Sequence, residues 1–401
     1  MKKWLTIIGM GEDGPDGLSA RARRALADAE AIVGSERLLA MTPPSKAERH
    51  EWPQPFTAVI DRILPLRGRP TVVLATGDPL NYGVARKVLE IIPFAEMVII
   101  PSLSAFSLAA ARMGWPLSDC DALSLHGRPA AQIEAFIQPE ARLLALTADA
   151  ATVTDVARRL VRRGFEASTI TVLENMGGVR EKRSSFPAHA LPAHGFSDLN
   201  TIAVECVAGP NAYIYPRSPG LPDDAYIHDG QLTKREVRAV TLAALAPVPD
   251  ALLWDVGAGS GSVAIEWMRS TRGAQAIAFE RDPSRVGMMG ENADRLGTPR
   301  LKIVQGDAPA AMTDAPRPDA CFIGGGMGTA GVFETCWTAL KPRGRMVANV
   351  VTLEGELHLV DLHAAYGGEL VRMEVSHLSH IGALRALKPR MAVLQWRAIK
   401  Q

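Results

Sequence analysis

Cysteine, aromatic residues, net charge and long apolar runs are all scarce in this chain of 401 residues, and each scarcity excludes a class of protein. The four cysteines are scattered and form no C-x-x-C pair, which argues against a zinc site and a disulfide framework. Lys and Arg number 44 and Asp and Glu number 43, so no global charge attracts nucleic acid or an anionic membrane. No run approaches the roughly 18 to 20 apolar residues that span a bilayer. We therefore expect a reduced, cytoplasmic protein with no metal and no nucleic-acid or membrane partner.

The chain begins MKKWLTIIGMGEDG, in which two lysines precede a short apolar run. Glu12 and Asp13 interrupt that run after a few residues. The segment therefore predicts a buried first strand rather than a signal peptide.

Strand-like apolar runs alternate with helix-like stretches along the whole chain, which predicts an α/β fold. In residues 1–211 the helix-like stretches include 19–33 and 150–164, among strand-like runs such as TVVLAT and STITVLE. Residues 212–222 are rich in Pro and Gly and predict a linker. A second α/β run occupies 223–401. Because the two halves share no repeat, we expect two different domains.

The second half contains a glycine motif, DVGAGSG at 255–261, directly after an apolar strand. Such glycines allow a ligand to approach a helix N-terminus closely, although they also occur in tight turns without a ligand. Glu280 ends the next strand, where a carboxylate can accept hydrogen bonds from both ribose hydroxyls of an adenosine. A dinucleotide motif requires glycine where Ser262 stands, so the pattern favours S-adenosylmethionine over a nicotinamide cofactor.

Two further features of this half bear on the same site. Asp307 ends the third strand, where it is placed to bond an adenine amino group while Ala308 packs on the ring. The alternative is that Asp307 only caps the following helix. Upstream, Thr233 and Glu236 in TKREVRAVTLAALA have the spacing of a capping box, with Thr233 as the helix N-cap.

These elements resemble, in order, the class I methyltransferase domain that acts on a precorrin in cobalamin biosynthesis. The matching segments are GQLTKREVRA, DVGAGSG, FE, GDAP and FIGGGMG, from about residue 223 to the C-terminus, and TKREVR is the most specific of them. The resemblance implies a Rossmann-like domain that binds S-adenosylmethionine, with the threonine beside the methionine portion. It assigns to the cofactor site Thr233, Gly257, Ala258, Gly259, Ser260, Gly261, Glu280, Asp307 and Ala308.

The first half resembles a different family, the tetrapyrrole methylases, and in particular its precorrin C5 members. The resemblance rests on GMGEDGPDGL, TGDPLNYG, PSLSAFSLAAARMGWPLSD and SLHGR, although the first loop lacks the Gly-Pro-Gly of many relatives. It implies two α/β subdomains that bind S-adenosylmethionine through backbone groups, for which glycine and proline loops are suited. The residues that it assigns to the cofactor are Gly9, Gly77, Asp78, Pro79, Gly83, Ser104, Ala105, Thr147 and Met176.

The two resemblances together imply a bifunctional methyltransferase with one S-adenosylmethionine per domain. The implied reaction methylates precorrin-6B at carbon 5 in the N-terminal domain and at carbon 15 in the C-terminal domain. The second step also releases the ring C acetate carboxyl group as carbon dioxide, and the products are precorrin-8X and two S-adenosylhomocysteines. Members of both families commonly self-associate, so we expect a homo-oligomer whose other partner is the small-molecule tetrapyrrole.

The tetrapyrrole carries several carboxylates, which the fork of an arginine side chain binds well. We predict that Arg235 or Arg238 contacts them, although charged residues at helical spacing are usually solvated surface. Weaker candidates are Lys234 and Arg385 for the carboxylates, and His228, His377 and His380 for proton transfer. No residue stands out as the general base.

Two rival functions are a nicotinamide-dependent oxidoreductase and a nucleic-acid methyltransferase. Ser262 and the absence of a second dinucleotide-binding half argue against the first. A balanced charge and an aromatic content of 5% argue against the second, which requires a basic stripe with aromatic side chains.

Overall fold

The computed structural model describes residues 3–53 and 58–401. The chain divides into two compact units, of which the first comprises 1–130 with 139–213 and the second comprises 131–138 with 214–401.

The proposed linker packs on the second unit. Tyr215 and Leu221, inside the range 212–222, are both buried in the core of that unit. The domain limits 1–211 and 223–401, with one methylation assigned to each, stay a prediction, because the two compact units do not show which residues each activity requires.

The first unit begins with a five-stranded sheet in which all neighbouring strands are parallel, in the order β3-β2-β4-β1-β5. Its strands are β1 (Leu5–Met10), β2 (Ala31–Gly34), β3 (Glu48–Glu51), β4 (Thr71–Thr76) and β5 (Met97–Ile100). Its helices are α1 (Ala20–Ala27), α2 (Glu36–Met41), α3 (Val59–Ile63) and α4 (Ala85–Leu89). Successive residues of β1 enter cores on opposite faces, Ile7 on one and Ile8 on the other. This explains why the central strands β1, β2 and β4 are continuously apolar, as expected of a buried parallel sheet, whereas the edge strand β3 is polar and largely exposed.

The predicted helix at 19–33 is wrong in its second half. Ser19 caps α1 by accepting a hydrogen bond from the backbone N–H of Ala22, and the helix ends at Ala27. Ala31–Gly34 is instead β2, buried along its whole length. Isoleucine and valine in that run fill the sheet core, and this burial outweighs the helical pattern before them.

A second sheet completes the first unit, in the order β6-β7-β10-β8-β9 with only β6 and β7 parallel. Its strands are β6 (Asp121–Ser124), β7 (Arg142–Leu146), β8 (Thr169–Glu174), β9 (Lys182–Pro187) and β10 (Asn200–Glu205), with helices α5 (Ala105–Met113) and α6 (Ala150–Arg162). The helix predicted at 150–164 is thus confirmed. Asp149 caps it by accepting a hydrogen bond from the backbone N–H of Thr152 (2.8 Å).

The second unit contains a seven-stranded sheet in the order β13-β12-β11-β14-β15-β19-β16. Its seven strands are β11 (Leu252–Val256), β12 (Gln275–Glu280), β13 (Lys302–Gln305), β14 (Ala320–Ile323), β15 (Arg345–Val350), β16 (Glu369–Met373) and β19 (Val393–Ile399), and the unit also contains β17 (Ser376–Ile381) and β18 (Leu384–Pro389). Its helices are α7 (Arg235–Leu245), α8 (Ser262–Ser270), α9 (Pro283–Arg295), α10 (Val332–Ala339) and α11 (Leu353–Tyr366). Within the seven-stranded sheet the neighbouring strands are parallel except β19, which is antiparallel to β15 and β16. This inserted strand distinguishes the sheet from the 3-2-1-4-5-6 order of dinucleotide-binding domains.

Strands β17 and β18 form a hairpin of their own that the sequence patterns do not reveal. Leu378 pairs with Leu387, and Ile381 pairs with Leu384. All four side chains are more than 60% exposed, from 63% for Leu378 to 75% for Leu384. Apolar residues point from both faces of the hairpin, so it lacks the alternation that marks a half-buried strand.

No helix among the described residues is long and apolar enough to cross a membrane. Within the same residues, no three His, Cys, Asp or Glu side chains gather into a group that could hold a metal ion.

Candidate functional site

Three strand ends of the first unit meet in a space too small for a side chain. A Cβ atom added to Gly9, near the end of β1, would lie 1.8 Å from the carbonyl oxygen of Gly77 and 2.7 Å from the backbone nitrogen of Ser102. Gly77 directly follows β4 and has a φ of +62°, in the left-handed region. Glycine is therefore required at both positions, at an edge of the sheet where ligands commonly bind to backbone groups.

The predicted residues Asp78, Pro79 and Gly83 form a tight turn after Gly77. The Asp78 Oδ1 atom accepts a hydrogen bond from the backbone N–H of Leu80 (2.9 Å). A Cβ atom on Gly83 would lie 2.5 Å from the carbonyl oxygen of Pro79. These contacts give the three residues a role in shaping the turn.

Ser104 and Ala105 lie at the start of α5. Ser104 is the N-cap, and its Oγ atom accepts a hydrogen bond from the backbone N–H of Ser107 (3.0 Å). Ala105 is the first residue of the helix. The cap leaves the other N-terminal backbone N–H groups of the helix as potential donors to a ligand.

A small cavity of about 60 Å³ between the two sheets of the first unit brings part of the predicted set together. Gly77, Ala105 and Met176 line it, with Asn200 on β10. Thr147 does not line it, but its hydroxyl donates to the backbone carbonyl of Asn200 (2.9 Å) and so supports that residue. Gly9 lines a second cavity, of about 310 Å³.

Asn175 is a residue of this site that the sequence patterns did not single out. It lines the 60 Å³ cavity beside Met176 and is only 8% exposed. Its φ is +47°, a strained conformation for any residue except glycine, although asparagine tolerates it best. An asparagine just before Met-Gly-Gly at a strand end was the available signal.

In the second unit, the glycine loop joins β11 to α8 as the motif predicts. Gly257, Gly259 and Gly261 have φ values of +67°, +57° and +80°. A Cβ atom on Gly257 would lie 2.8 Å from the backbone of Gly325, and one on Gly261 would lie 2.5 Å from the side chain of Met289. The loop therefore depends on glycine both for its backbone conformation and for its close packing.

Glu280 holds this loop directly. Its side chain is buried, with Oε2 accepting the backbone N–H of Gly259 (2.8 Å) and Oε1 accepting the backbone N–H of Asp282 (3.0 Å). A carboxylate has about four acceptor positions. Two therefore remain for further donors such as ribose hydroxyls.

Asp255 joins the end of β11 to the start of α8. It is fully buried, and its Oδ2 atom accepts the backbone N–H of Ala264 (2.9 Å). Burial, aided by the nearby Glu280 carboxylate and opposed by the hydrogen bond from Ala264, raises the pKa of this carboxyl to about 7. Asp255 therefore holds the loop against the start of α8 rather than contacting a ligand directly.

Two predicted residues present polar atoms that other described residues leave unsatisfied. Ser260 is 3% exposed, and its Oγ atom has no hydrogen-bond partner among those residues. Asp307 is exposed, and its carboxylate makes no hydrogen bond or ion pair in the described part of the chain. The helical turn that follows, at Ala310–Met312, has Pro309 rather than Asp307 at its N-cap. A buried hydroxyl without a partner among the described residues, as at Ser260, is a place where a ligand is expected, and the exposed Asp307 carboxylate is free to accept a hydrogen bond.

The predicted capping box at α7 is wrong. The N-cap is Lys234, one residue later than expected, and it makes no side-chain cap. Glu236 points outward and approaches His377 (3.7 Å). Thr233 lies just before the cap, and its carbonyl oxygen accepts a hydrogen bond from the guanidinium of Arg238. This hydrogen bond, rather than a capping box, holds the end of the loop that precedes α7.

The geometry also argues against a substrate contact for Arg238. The side chain is completely buried, and its Nε atom donates to Glu266 (2.6 Å). Other donors bind Asp223 and the carbonyl oxygens of Leu221 and Thr233. A guanidinium with these partners is not available to a substrate carboxylate, because a buried charge needs all of them.

The other cationic candidates lie elsewhere. Arg235, the first residue of α7, is exposed. The Lys234 Nζ atom donates to the carbonyl of Gly230 (3.1 Å), and the Nδ1 atom of His228 accepts the Gly230 backbone N–H (2.9 Å). Arg385 lies opposite His380 on the exposed hairpin. Of this group, Arg235 is the best placed for an anionic ligand near Thr233.

Two protein families match this chain, one in each of the halves that carry the two sets of glycine motifs. Residues 4–190 match the family of tetrapyrrole (corrin/porphyrin) methylases, and residues 224–400 match the precorrin methyltransferase domain.

Curated relatives match over almost the full length. A Sinorhizobium protein named precorrin-6Y C(5,15)-methyltransferase [decarboxylating] is 44% identical over 98% of this chain and 95% of its own. A Mycobacterium tuberculosis protein of the same name is 38% identical over 99% of this chain and 100% of its own. A crystal structure of the C-terminal domain of the Rhodobacter capsulatus precorrin-6Y C5,15-methyltransferase is 44% identical, covers 46% of this chain and all of that one, and has a TM-score of 0.44.

Proposed function

Because this chain belongs to the family of precorrin-6Y C(5,15)-methyltransferases (decarboxylating), we propose that each of its two units binds one S-adenosylmethionine and performs one of the two methylations. The chain is a methyltransferase of cobalamin biosynthesis that methylates a precorrin at carbons 5 and 15 with decarboxylation. The identity to relatives over nearly their full length is the observation that carries this assignment. In finer detail, the proposed substrate is precorrin-6B and the proposed products are precorrin-8X, carbon dioxide and two S-adenosylhomocysteines.

The residues around the glycine loop of the second unit fit an adenosine. Glu280 retains two acceptor positions for ribose hydroxyls after its bonds to the backbone of Gly259 and Asp282. Ser260 and Asp307 supply the unpartnered polar atoms, and Asp307 suits the adenine amino group. This support favours carbon 15 methylation and decarboxylation in the second unit, whose family match is a precorrin methyltransferase domain.

The first unit offers a different kind of site. Gly9 and Gly77 bring the backbones of two strand ends together, and α5 begins with Ser104 and Ala105 at the adjacent edge. Backbone N–H and carbonyl groups therefore dominate there, which suits a folded S-adenosylmethionine held without a ribose carboxylate. We assign carbon 5 methylation to this unit, because its match is to tetrapyrrole methylases.

Methyl transfer itself requires little chemical activation by side chains. S-adenosylmethionine supplies an electrophilic methyl group, and an enamine-like meso carbon of the tetrapyrrole is already nucleophilic. The protein therefore has to align the carbon with the methyl group and exclude water. No activated side-chain nucleophile is required.

Decarboxylation requires an electron-poor centre in the macrocycle. Methylation at carbon 15 creates such an iminium-like centre, which explains why the two steps share one site. The bonding pair between the ring C acetate methylene and its carboxylate moves to that centre as carbon dioxide leaves. A proton then adds to the former methylene carbon, which becomes a methyl group.

Arg235 is the side chain that we propose for a substrate carboxylate in the second unit. It is exposed at the N-terminal end of α7, two residues after Thr233. An arginine fork binds a carboxylate with two parallel hydrogen bonds. The buried Arg238 has no such freedom.

We further propose that the chain is a cytoplasmic homo-oligomer. The hairpin of β17 and β18 supports self-association, because Leu378, Ile381, Leu384 and Leu387 expose a large apolar surface. Light scattering should show one smaller species for a Leu378→Glu and Leu387→Glu double variant. An unchanged mass would exclude the hairpin as the interface.

The division of labour is tested with single-site variants of the full chain. Ala105→Phe fills the 60 Å³ cavity of the first unit, and Glu280→Gln weakens the loop contact of the second. With precorrin-6B and S-adenosylmethionine, mass spectrometry should show a singly methylated, decarboxylated product for Ala105→Phe. Glu280→Gln should reduce the yield of every decarboxylated product. The opposite pattern would refute the assignment of carbons to units.

Adenosylhomocysteine offers a simple test against the rival function. It should raise the melting temperature of the chain, and NADH should not. Stabilisation by NADH alone would favour an oxidoreductase.

A further inference from the structure

One face of α9 contacts both the glycine loop and the segment 227–231 that precedes Thr233. Arg285, Met289 and Asn292 are spaced i, i+4 and i+7 and therefore lie on one face of the helix. Met289 touches the loop, because a Cβ atom on Gly261 would lie 2.5 Å from its Cγ. The side chains of Arg285 and Asn292 bind segment 227–231.

Asn292 connects this segment to the glycine loop through a fully buried amide. Its Oδ1 atom accepts the backbone N–H of Ile227 (2.8 Å), and its Nδ2 atom donates to the carbonyl of Ile227 (2.9 Å). The same Nδ2 atom donates to the carbonyl of Ser260 in the loop (3.0 Å). Both amide hydrogens and one lone pair of the oxygen are thereby used, so the two chain segments are held at a fixed separation.

Arg285 binds the same segment two turns earlier on the helix. Its Nε atom donates to Asp229 Oδ2 (2.9 Å), and its Nη2 atom donates to Gln231 Oε1 (2.9 Å). Asp229 in turn accepts the backbone N–H of Gln231 on its Oδ1 atom (3.0 Å). The Gln231 N–H, and to a lesser degree Arg285, hold the pKa of Asp229 below its ordinary value, so the pair is charged at neutral pH.

The segment so held lies against the ligand-binding loop. The carbonyl oxygen of Gln231 is 3.6 Å from the position of a Cβ atom on Gly259. Thr233 follows two residues later, and Arg238 fixes its carbonyl from the buried side. The distance between Thr233 and the glycine loop is therefore set by α9 at one end of the segment and by Arg238 at the other.

We propose that Arg285 and Asn292 are positioning residues that hold segment 227–231 over the glycine loop and thereby build the methionine side of the methyl-donor site in the second unit. The inference rests on the proposed function of that unit. Neither side chain is needed to contact the reacting atoms, so their loss should weaken binding of S-adenosylmethionine more than it slows the chemical step.

The test uses the full chain with Arg285→Ala, Arg285→Lys and, as matched control, Arg300→Ala at an exposed position just after α9. In Arg285→Ala we expect the KM for S-adenosylmethionine in decarboxylating methylation to rise about 3- to 10-fold, as the loss of a partly exposed ion pair and a hydrogen bond implies. Its kcat should stay within about twofold, and carbon 5 methylation in the other unit should be unchanged. Arg285→Lys should recover part of the loss, because lysine keeps the charge without the fork.

Gln231→Ala extends the test through a double-mutant cycle with Arg285→Ala, in which the two KM effects should be less than additive. An unchanged KM in Arg285→Ala, with decarboxylating methylation intact, would overturn this inference alone. Equal losses in both methylations would also overturn it, since they indicate unfolding. Absence of decarboxylating methylation in the wild-type chain would refute the proposed function instead.

Discussion

The Oε2 atom of Glu280 lies 2.8 Å from the backbone nitrogen of Gly259 and accepts its hydrogen bond. This contact joins the end of β12 to the middle of the glycine loop. A single buried carboxylate thus shapes the loop, and we propose that its remaining acceptor positions bind the ribose hydroxyls.

Replacing Glu280 with glutamine should weaken adenosylhomocysteine binding at the second unit by about 10- to 100-fold, since hydrogen bonds to charged groups are the stronger ones. Glutamine keeps the size of the side chain, but its amide hydrogens conflict with one of the two backbone N–H donors. Isothermal titration calorimetry should detect two sites per wild-type chain and one in the variant. Glu291→Gln, on the exposed surface of α9, should retain both sites.

Asp255→Asn should make the second unit more stable relative to wild type as pH rises. The folded-state pKa of about 7 exceeds the unfolded value near 4, so the wild-type carboxyl costs stability once it must ionise. The difference in unfolding free energy should be near zero below pH 4 and grow to about 4 kcal/mol at pH 7 and above. Chemical denaturation of both proteins across this range measures it, and a difference independent of pH would contradict the assigned burial effect.

Glu181 should have the opposite effect to Asp255, because its ionised form should increase the free energy of unfolding. Arg112, and then the backbone N–H of Gly177, lower its pKa to about 2. A depressed carboxyl pKa stabilises the fold above the unfolded value and loses that effect as pH falls toward 2. The melting temperature of wild type should therefore exceed that of Glu181→Gln at pH 7, and the two should converge near pH 2. A gap that stays constant through this range would show that the ion pair is not its cause.

Substitutions at Arg235 and Arg238 should have different effects: the first should change substrate binding, and the second should change the stability of the second unit. Arg238→Met leaves the Glu266 carboxylate buried without its cation and should destabilise the unit by about 3 to 5 kcal/mol. Arg235→Ala should leave the melting temperature unchanged and raise the KM for the tetrapyrrole several-fold. Thermal denaturation and steady-state kinetics on the same preparations measure both effects, and a KM effect confined to Arg238→Met would reverse our assignment.

Much of the architecture is visible in the sequence because local patterns and burial agree there. The apolar runs at β1, β4 and β11 are strands, and α6 begins at the cap that Asp149 supplies. Prediction from local patterns fails where tertiary contacts determine the secondary structure. At Ala31–Gly34 the residues continue a helical pattern, but they form a strand because they are buried in the core of the sheet.

The site shows the same division between motif and context. The glycine loop and Glu280 follow from spacing, since three glycines and an acid one strand later define a local arrangement. The buried Arg238 and the amide of Asn292 do not, because their partners lie far along the chain, such as Ile227, 65 residues before Asn292. A single charged or amide residue carries no sign of burial, so only the fold shows that Arg238 is internal.

The central claim is that one chain performs two methylations and one decarboxylation on the same macrocycle. Incubation of the full chain with precorrin-6B and methyl-labelled S-adenosylmethionine, followed by mass spectrometry of the product and measurement of released carbon dioxide, tests it most directly. We expect two labelled methyl groups and one carbon dioxide per tetrapyrrole. A product with a single methyl group at full conversion, or one that retains every carboxyl group, would contradict it.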